Sequence, residues 1–179
     1  NNAQLSTTTP IEGSASALFD GTTDYISGNG SSAAFAFPGD CCIEFSYKGT
    51  IGVAQILIDF RPAAGNGYYP YIDMSATGIL YVYINSSYRI TGTTNLVTGT
   101  KYQIALSRVA GVWRLWLNGN QEGSSWSDST AMSVGSSRPI IGTSGANTIN
   151  GRIDEWRVTK GVGRYSAAYT PQVGEFPDP

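Results

Sequence analysis

No segment of this chain repeats its apolar residues at helical spacing. Short runs rich in Ile, Val, Tyr, Phe and Trp are instead cut apart by Ser, Thr, Asn and the 22 glycines of the 179-residue sequence. Such runs mark strands joined by tight turns. The pattern predicts strands at Ser16–Phe19, Asp24–Ile26, Cys41–Lys48, Ala54–Phe60, Tyr68–Met74, Ile79–Asn85, Tyr88–Thr91, Tyr102–Val109, Val112–Asn118, Pro139–Thr143 and Gly151–Thr159. Asn-Gly pairs at Asn29, Asn66, Asn118 and Asn150, with Ala110-Gly111, supply turn residues that tolerate positive φ. So many antiparallel strands cannot lie in one open sheet without curling, so the expected class is all-β, a two-layer sandwich.

Alternation sorts the faces of these strands. Leu80, Val82 and Ile84 form one row and Tyr81 and Tyr83 the opposite one; Trp113, Leu115 and Leu117 oppose Arg114 and Trp116. Cys41, Ile43, Phe45 and Tyr47, and likewise Tyr102, Ile104 and Leu106, read as further core rows. Residues 1–12 read as a polar arm continuing from a longer chain, and 13–179 as a single domain ending in an extended strap with Pro171, Pro177 and Pro179.

Composition removes several classes of function. Only 13% of residues are charged and the net charge is −2, which is no footprint for a phosphate backbone, so nucleic acid is excluded. The apolar runs fall far short of the ~20 residues of a spanning helix, and no membrane insertion is expected. With no His, Ser-His-Asp and Cys-His catalysis and imidazole metal ligation are unavailable. The two cysteines, Cys41 and Cys42, are adjacent and point to opposite faces of a strand, which reads as two buried free thiols in a chain assembled in a reducing compartment; a strained vicinal disulfide is the alternative.

Phe19-Asp20-Gly21-Thr22-Thr23-Asp24-Tyr25-Ile26, Ile43-Glu44-Phe45, Trp113-Arg114-Leu115-Trp116-Leu117-Asn118-Gly119 and Ile153-Asp154-Glu155-Trp156-Arg157-Val158 occur in an order and spacing that resembles laminin G-like, concanavalin A-like lectin domains. The resemblance runs from about Ala17 to Pro177. The closing segments Thr159-Lys160-Gly161-Val162-Gly163-Arg164-Tyr165, Tyr169-Thr170-Pro171 and Phe176-Pro177 are similar to the ends of such domains in bacteriophage tail proteins. The resemblance implies a jelly-roll sandwich of two curved antiparallel sheets. It also implies a tail fibre of the virion, assembled in the host cytoplasm as a homotrimer, whose distal domains touch the host surface. Cys41-Cys42 departs from the pattern, which usually carries an aromatic or aliphatic residue paired with a hydroxyl residue there.

Three kinds of chemistry remain to weigh. Hydrolases of this fold use a Glu-x-Asp-x-x-Glu string that sets two carboxylates about 5 Å apart; the five Glu here are scattered and form none. Asp154 and Glu155 read as structural acids paired with an Arg or with backbone amides. Calcium is a second possibility, if the hairpin acids Asp20 and Asp24 lie against the strand bearing Asp154; the same Asp-Gly-Thr-Thr-Asp string is also an ordinary Asx-rich turn. Aromatics make the third case, because Trp and Tyr stack on the C–H faces of sugar rings. Tyr69, Tyr71, Tyr81, Tyr83, Arg114, Trp116 and Trp126 are the candidate carbohydrate contacts, with Trp126 in a Ser-rich loop. Packing under a covering loop or at a subunit interface is the competing reading of the same residues. The resulting expectation is a non-enzymatic domain that binds bacterial cell-surface polysaccharide or lipopolysaccharide. A depolymerase of the same fold and a virion spacer are the alternatives.

Overall fold

The computed structural model describes residues 3–28, 35–62, 67–133, 138–143 and 146–177. Its strands are β1 (Gln4–Ser6), β2 (Ser16–Asp20), β3 (Tyr25–Ser27), β4 (Cys41–Gly49), β5 (Gln55–Asp59), β6 (Tyr71–Met74), β7 (Leu80–Ile84), β8 (Ser87–Thr91), β9 (Tyr102–Val109), β10 (Val112–Leu117), β11 (Asn120–Ser127), β12 (Ile140–Gly142) and β13 (Asn150–Lys160). A seven-stranded sheet runs β1-β2-β13-β4-β9-β10-β11 and a six-stranded sheet runs β3-β12-β5-β6-β7-β8. The chain is an all-β sandwich with the jelly-roll layout of two antiparallel sheets.

The apolar rows meet between the sheets. Ile43, Phe45, Tyr47, Ile104, Leu106, Trp113 and Leu115 from one side pack on Leu57, Ile72, Leu80, Val82 and Ile84 from the other, and Leu115 has no exposed surface. Burying such side chains contributes roughly 1.5–3 kcal/mol each and is the main force closing the sandwich. Three hairpins turn on two successive residues of positive φ: Asn85-Ser86, Ala110-Gly111 and Asn118-Gly119. That geometry matches the right-handed twist of the strands it joins.

Asn150-Gly151 makes no hairpin. It lies within β13, where Asn150 pairs with Asp20 and Gly151 with Phe19. Asn29 and Asn66 lie outside the described residues. Two strands escape the apolar pattern. Gln4–Ser6 of the expected arm pairs along β2 as an edge strand, and polar Asn120–Ser127 forms β11 along β10. The described part of the C-terminal segment after β13 carries no strand and crosses the outer face of the seven-stranded sheet, where Tyr169 N–H donates to Gly119 C=O at 3.0 Å. A side chain at Gly119 would collide with the Tyr169 carbonyl, so this glycine serves both the turn and the crossing.

Candidate functional site

The outer face of the six-stranded sheet gathers four tyrosines. On β7 the alternation turns Leu80, Val82 and Ile84 inward and leaves Tyr81 and Tyr83 outward; on β6 it turns Ile72 and Met74 inward and leaves Tyr71 and Asp73 outward. Register then sets Tyr71 beside Tyr83, Asp73 beside Tyr81, and Tyr83 beside Tyr88 of β8. Ring centroids lie 5.8 Å apart for Tyr71–Tyr83, 5.2 Å for Tyr83–Tyr88 and 5.1 Å for Tyr81–Tyr88. Tilted and edge-to-face contacts are the arrangements aromatic rings prefer.

Three charged groups share this face. Arg61 is clamped by Asp59 through Nε–Oδ1 at 3.0 Å and Nη2–Oδ2 at 3.2 Å, and its guanidinium lies 3.8 Å over the Tyr71 ring. That cation is therefore matched by an anion and a π face. Asp73 is not matched in the same way. The Tyr88 hydroxyl donates to its Oδ2 at 3.2 Å, while its buried Oδ1 makes no hydrogen bond. Burial pushes the Asp73 carboxyl up to about 6; the hydroxyls of Tyr88 and Tyr71 and the charge of Arg61 oppose that rise.

Not all the expected contacts reach this face. Arg114 and Trp116 sit on β10, in the other sheet, so they form no common patch with Tyr81 and Tyr83. Trp116 is 1% exposed, packed with Cys42 and Ala105 and covered by Tyr165 and Tyr169 of the C-terminal segment. Those two rings stack at 3.6 Å, and Tyr169 meets Trp116 at 5.8 Å. Alternation identified the outward row correctly but could not reveal the chain that returns over it. Tyr69 lies before β6 and packs half-buried against the core rather than extending the row of Tyr71 and Asp73. Trp126 stands in β11, not in a loop; it stacks on Trp113 at 6.5 Å and receives the Arg89 guanidinium at 5.0 Å.

The acids proposed for a metal do not converge. Asp20 Oδ1 accepts the N–H groups of Thr22, Thr23 and Asp24, and its Oδ2 accepts the Thr22 hydroxyl, which holds its carboxyl well below the usual range. Asp24 Oδ2 accepts Asp20 N–H at 3.1 Å. These are turn bonds. Asp154 lies along β13 past Ile153, which pairs with Ala17, whereas Asp20 pairs with Asn150; its Oδ2 accepts the Ser16 hydroxyl at 2.7 Å and Glu12 N–H at 3.0 Å. Among the described residues no group of three or more Cys, Asp or Glu side chains is placed to hold a metal ion. Glu155, at a bulge in β13, accepts Phe176 N–H. Cys41 and Cys42 are free and buried, and burial pushes the Cys41 thiol up to about 12.

A cleft of about 820 Å³ lies elsewhere, lined by Arg157, Lys160, Arg164, Phe176 and neighbours at the end of β13. Two of its cations are tied to the buried Glu44, at 3.0 Å from Arg157 and 3.2 Å from Arg164. At the tyrosine face, sequence reasoning missed Asp59, Arg61 and Tyr88 as members. Tyr88 was legible as the first residue of a strand following the Tyr81–Tyr83 row; the Asp59–Arg61 pair has no pattern signal.

No protein-family model and no curated protein sequence matches the chain. Solved structures do. Domain 4 of AbnA, a GH43 extracellular arabinanase from Geobacillus stearothermophilus, in complex with arabinotriose, matches with TM-score 0.64 and 15% identity, over 88% of this chain and 75% of that one. Domains LG4-5 of the mouse laminin alpha1 chain match with TM-score 0.63 and 16% identity, over 99% and 48%. The carbohydrate-binding module CBM66 of Bacillus subtilis matches with TM-score 0.54 and 15% identity, over 88% and 91%. At such identities the likeness is one of fold.

Proposed function

We propose that this chain is a non-catalytic glycan-binding domain that stacks sugar rings on Tyr81, Tyr83 and Tyr88. The observation that carries the reading is an outward tyrosine row holding a carboxylate with one oxygen unsatisfied. Tyrosine supplies an apolar face and a polar tip together, which is what a sugar ring presents in mirror form. An arabinotriose complex and a carbohydrate-binding module among proteins of like fold support it. The ligand we propose is bacterial cell-surface polysaccharide or lipopolysaccharide. The setting is a phage tail fibre built as a homotrimer, for which the sequence resemblance of the C-terminal segment is the support.

A glycan array tests the reading. Wild-type chain should bind, and Tyr81→Ala and Tyr83→Ala should lose binding while the chain still melts as a folded domain. Retained binding in both variants would overturn the assignment of this face. Shortened polysaccharide chains after incubation with the protein would instead establish a depolymerase. Light scattering of the full-length fibre tests the trimer, and a monomer would remove it.

A further inference from the structure

The tyrosine face carries more anionic than cationic charge. Asp59 and Asp73 provide two carboxylates and Arg61 one guanidinium, and that guanidinium is already gripped by Asp59 through two hydrogen bonds and laid on the Tyr71 ring. Asp73 is left between β5 and β7, opposite Ile56 on one side and Tyr81 on the other, and among the described residues no cation reaches it in a hydrogen bond or ion pair. The groups placed around it are the hydroxyls of Tyr88 and Tyr71, the Tyr81 ring across the strand pair and the charge of Arg61, and Oδ1 still accepts no hydrogen bond among the described residues. A half-buried carboxylate whose enclosed oxygen has no partner is unfavourable in its charged form, and a group from outside the chain that completes it removes that cost. The surrounding rings sharpen the choice of what that is, because the negative π face of a tyrosine attracts a cation and repels an anion.

Resting on the glycan reading above, we propose that the sugar bound here carries a protonated or quaternary amine. Its charge lies over the Tyr81 and Tyr88 rings with Asp73 Oδ1 as its counter-ion. A neutral hydroxyl would satisfy Oδ1 as an acceptor but would leave the carboxylate charge unmatched. A uronic or sialic acid would bring a second anion against it. Tyr88 is the ring that turns aside to admit the amine: it is 56% exposed, lies on the edge strand β8 and is tied to Asp73 by one hydrogen bond.

Titration calorimetry on the 179-residue chain at pH 7.5 and physiological salt tests this with three probes: a glucosamine oligomer with trimethylated amines, the same oligomer N-acetylated, and an oligomer of glucuronic acid. The expected order is quaternary over N-acetylated by at least tenfold, with no binding of the acid. Asp73→Asn, which keeps shape and every other acid of the chain, should erase the preference. That distinguishes a built counter-ion from general attraction to a chain of net charge −2. Equal binding of the quaternary and N-acetylated oligomers, lost together in Tyr81→Ala, would overturn the amine and leave the glycan reading standing. A preference that survives Asp73→Asn would overturn the role of Asp73. Absence of binding by the quaternary oligomer, where the array finds a neutral glycan, would overturn the inference as well.

Discussion

The outer faces of the two sheets are built from the same materials and left in opposite states. On the seven-stranded sheet, the buried carboxylate Glu44 accepts from Arg157 and the Tyr165 hydroxyl and forms an ion pair with Arg164, while Tyr165 stacks on Tyr169 and Tyr169 meets Trp116. On the six-stranded sheet, Tyr71, Tyr81, Tyr83 and Tyr88 surround Asp73, which accepts from one hydroxyl. The first face is filled by the chain's own C-terminal segment; the second has no segment over it among the described residues. A carboxylate among aromatics is thus a stable structural unit when the chain supplies the cations and the cover. Without them it is, on the reading proposed above, the place where a ligand would gain what the fold has left undone.

The strongest test breaks the closed face. Trp116→Ala removes a fully buried ring under the strap and should cost about 3–5 kcal/mol in urea unfolding. A loss under about 1 kcal/mol would mean that the C-terminal segment is not a fixed part of the fold. Glu44→Gln comes next. It keeps the shape but leaves Arg157 and Arg164, whose side chains are 24% and 36% exposed, without their anion. Because water still reaches both, the expected cost is about 1–3 kcal/mol.

The same contrast shows what a sequence can and cannot carry. Every inward row read from alternation is inward: Leu80, Val82 and Ile84, Ile43, Phe45 and Tyr47, Ile104 and Leu106, and Leu115. Period two is a local property of the backbone, so those rows follow from residue order alone. Outward rows carry less information, because what covers them comes from far along the chain. Trp116 and Tyr83 look alike in sequence, yet one lies under Tyr169, which is 53 residues later, and the other does not. Edge strands fail for a related reason. β11, with its Ser, Gly and Gln, needs no apolar face to pair along β10, so it leaves no hydrophobic pattern.

Asp73→Asn should move stability the other way from Glu44→Gln. A carboxyl held at about 6 against an ordinary 3.8 makes the native state bind more protons than the unfolded one between those values. Stability therefore falls as pH rises through that window, and above pH 6 the ionised group costs the fold about 1–2 kcal/mol once its partial exposure is allowed for. Asn carries no such charge. Thermal melts should show Asp73→Asn more stable than wild type at pH 7.5, with the gain shrinking toward zero near pH 4. A variant less stable at pH 7.5 would show that Asp73 is a structural acid like Glu44, and the contrast between the faces would weaken.

The smallest effect on stability is expected at Tyr88. Its ring is more than half exposed on an edge strand and its hydroxyl holds one hydrogen bond, so Tyr88→Ala removes little buried area. Chemical unfolding should register less than about 1 kcal/mol. Binding should respond more strongly, because one ring stacked on a sugar contributes about 1–1.5 kcal/mol by analogy with other aromatic contacts, which is roughly a tenfold change in affinity. Tyr88→Phe separates two roles of the residue. It keeps the ring, so stacking persists, but it frees the second Asp73 oxygen, so the carboxyl should rise further above 6. Affinity near that of wild type at pH 7.5, falling more steeply than wild type as pH drops toward 6, is the expected result. If Tyr88→Phe and Tyr88→Ala weaken binding equally, the hydroxyl rather than the ring makes the contact, and the face works by hydrogen bonding instead of stacking.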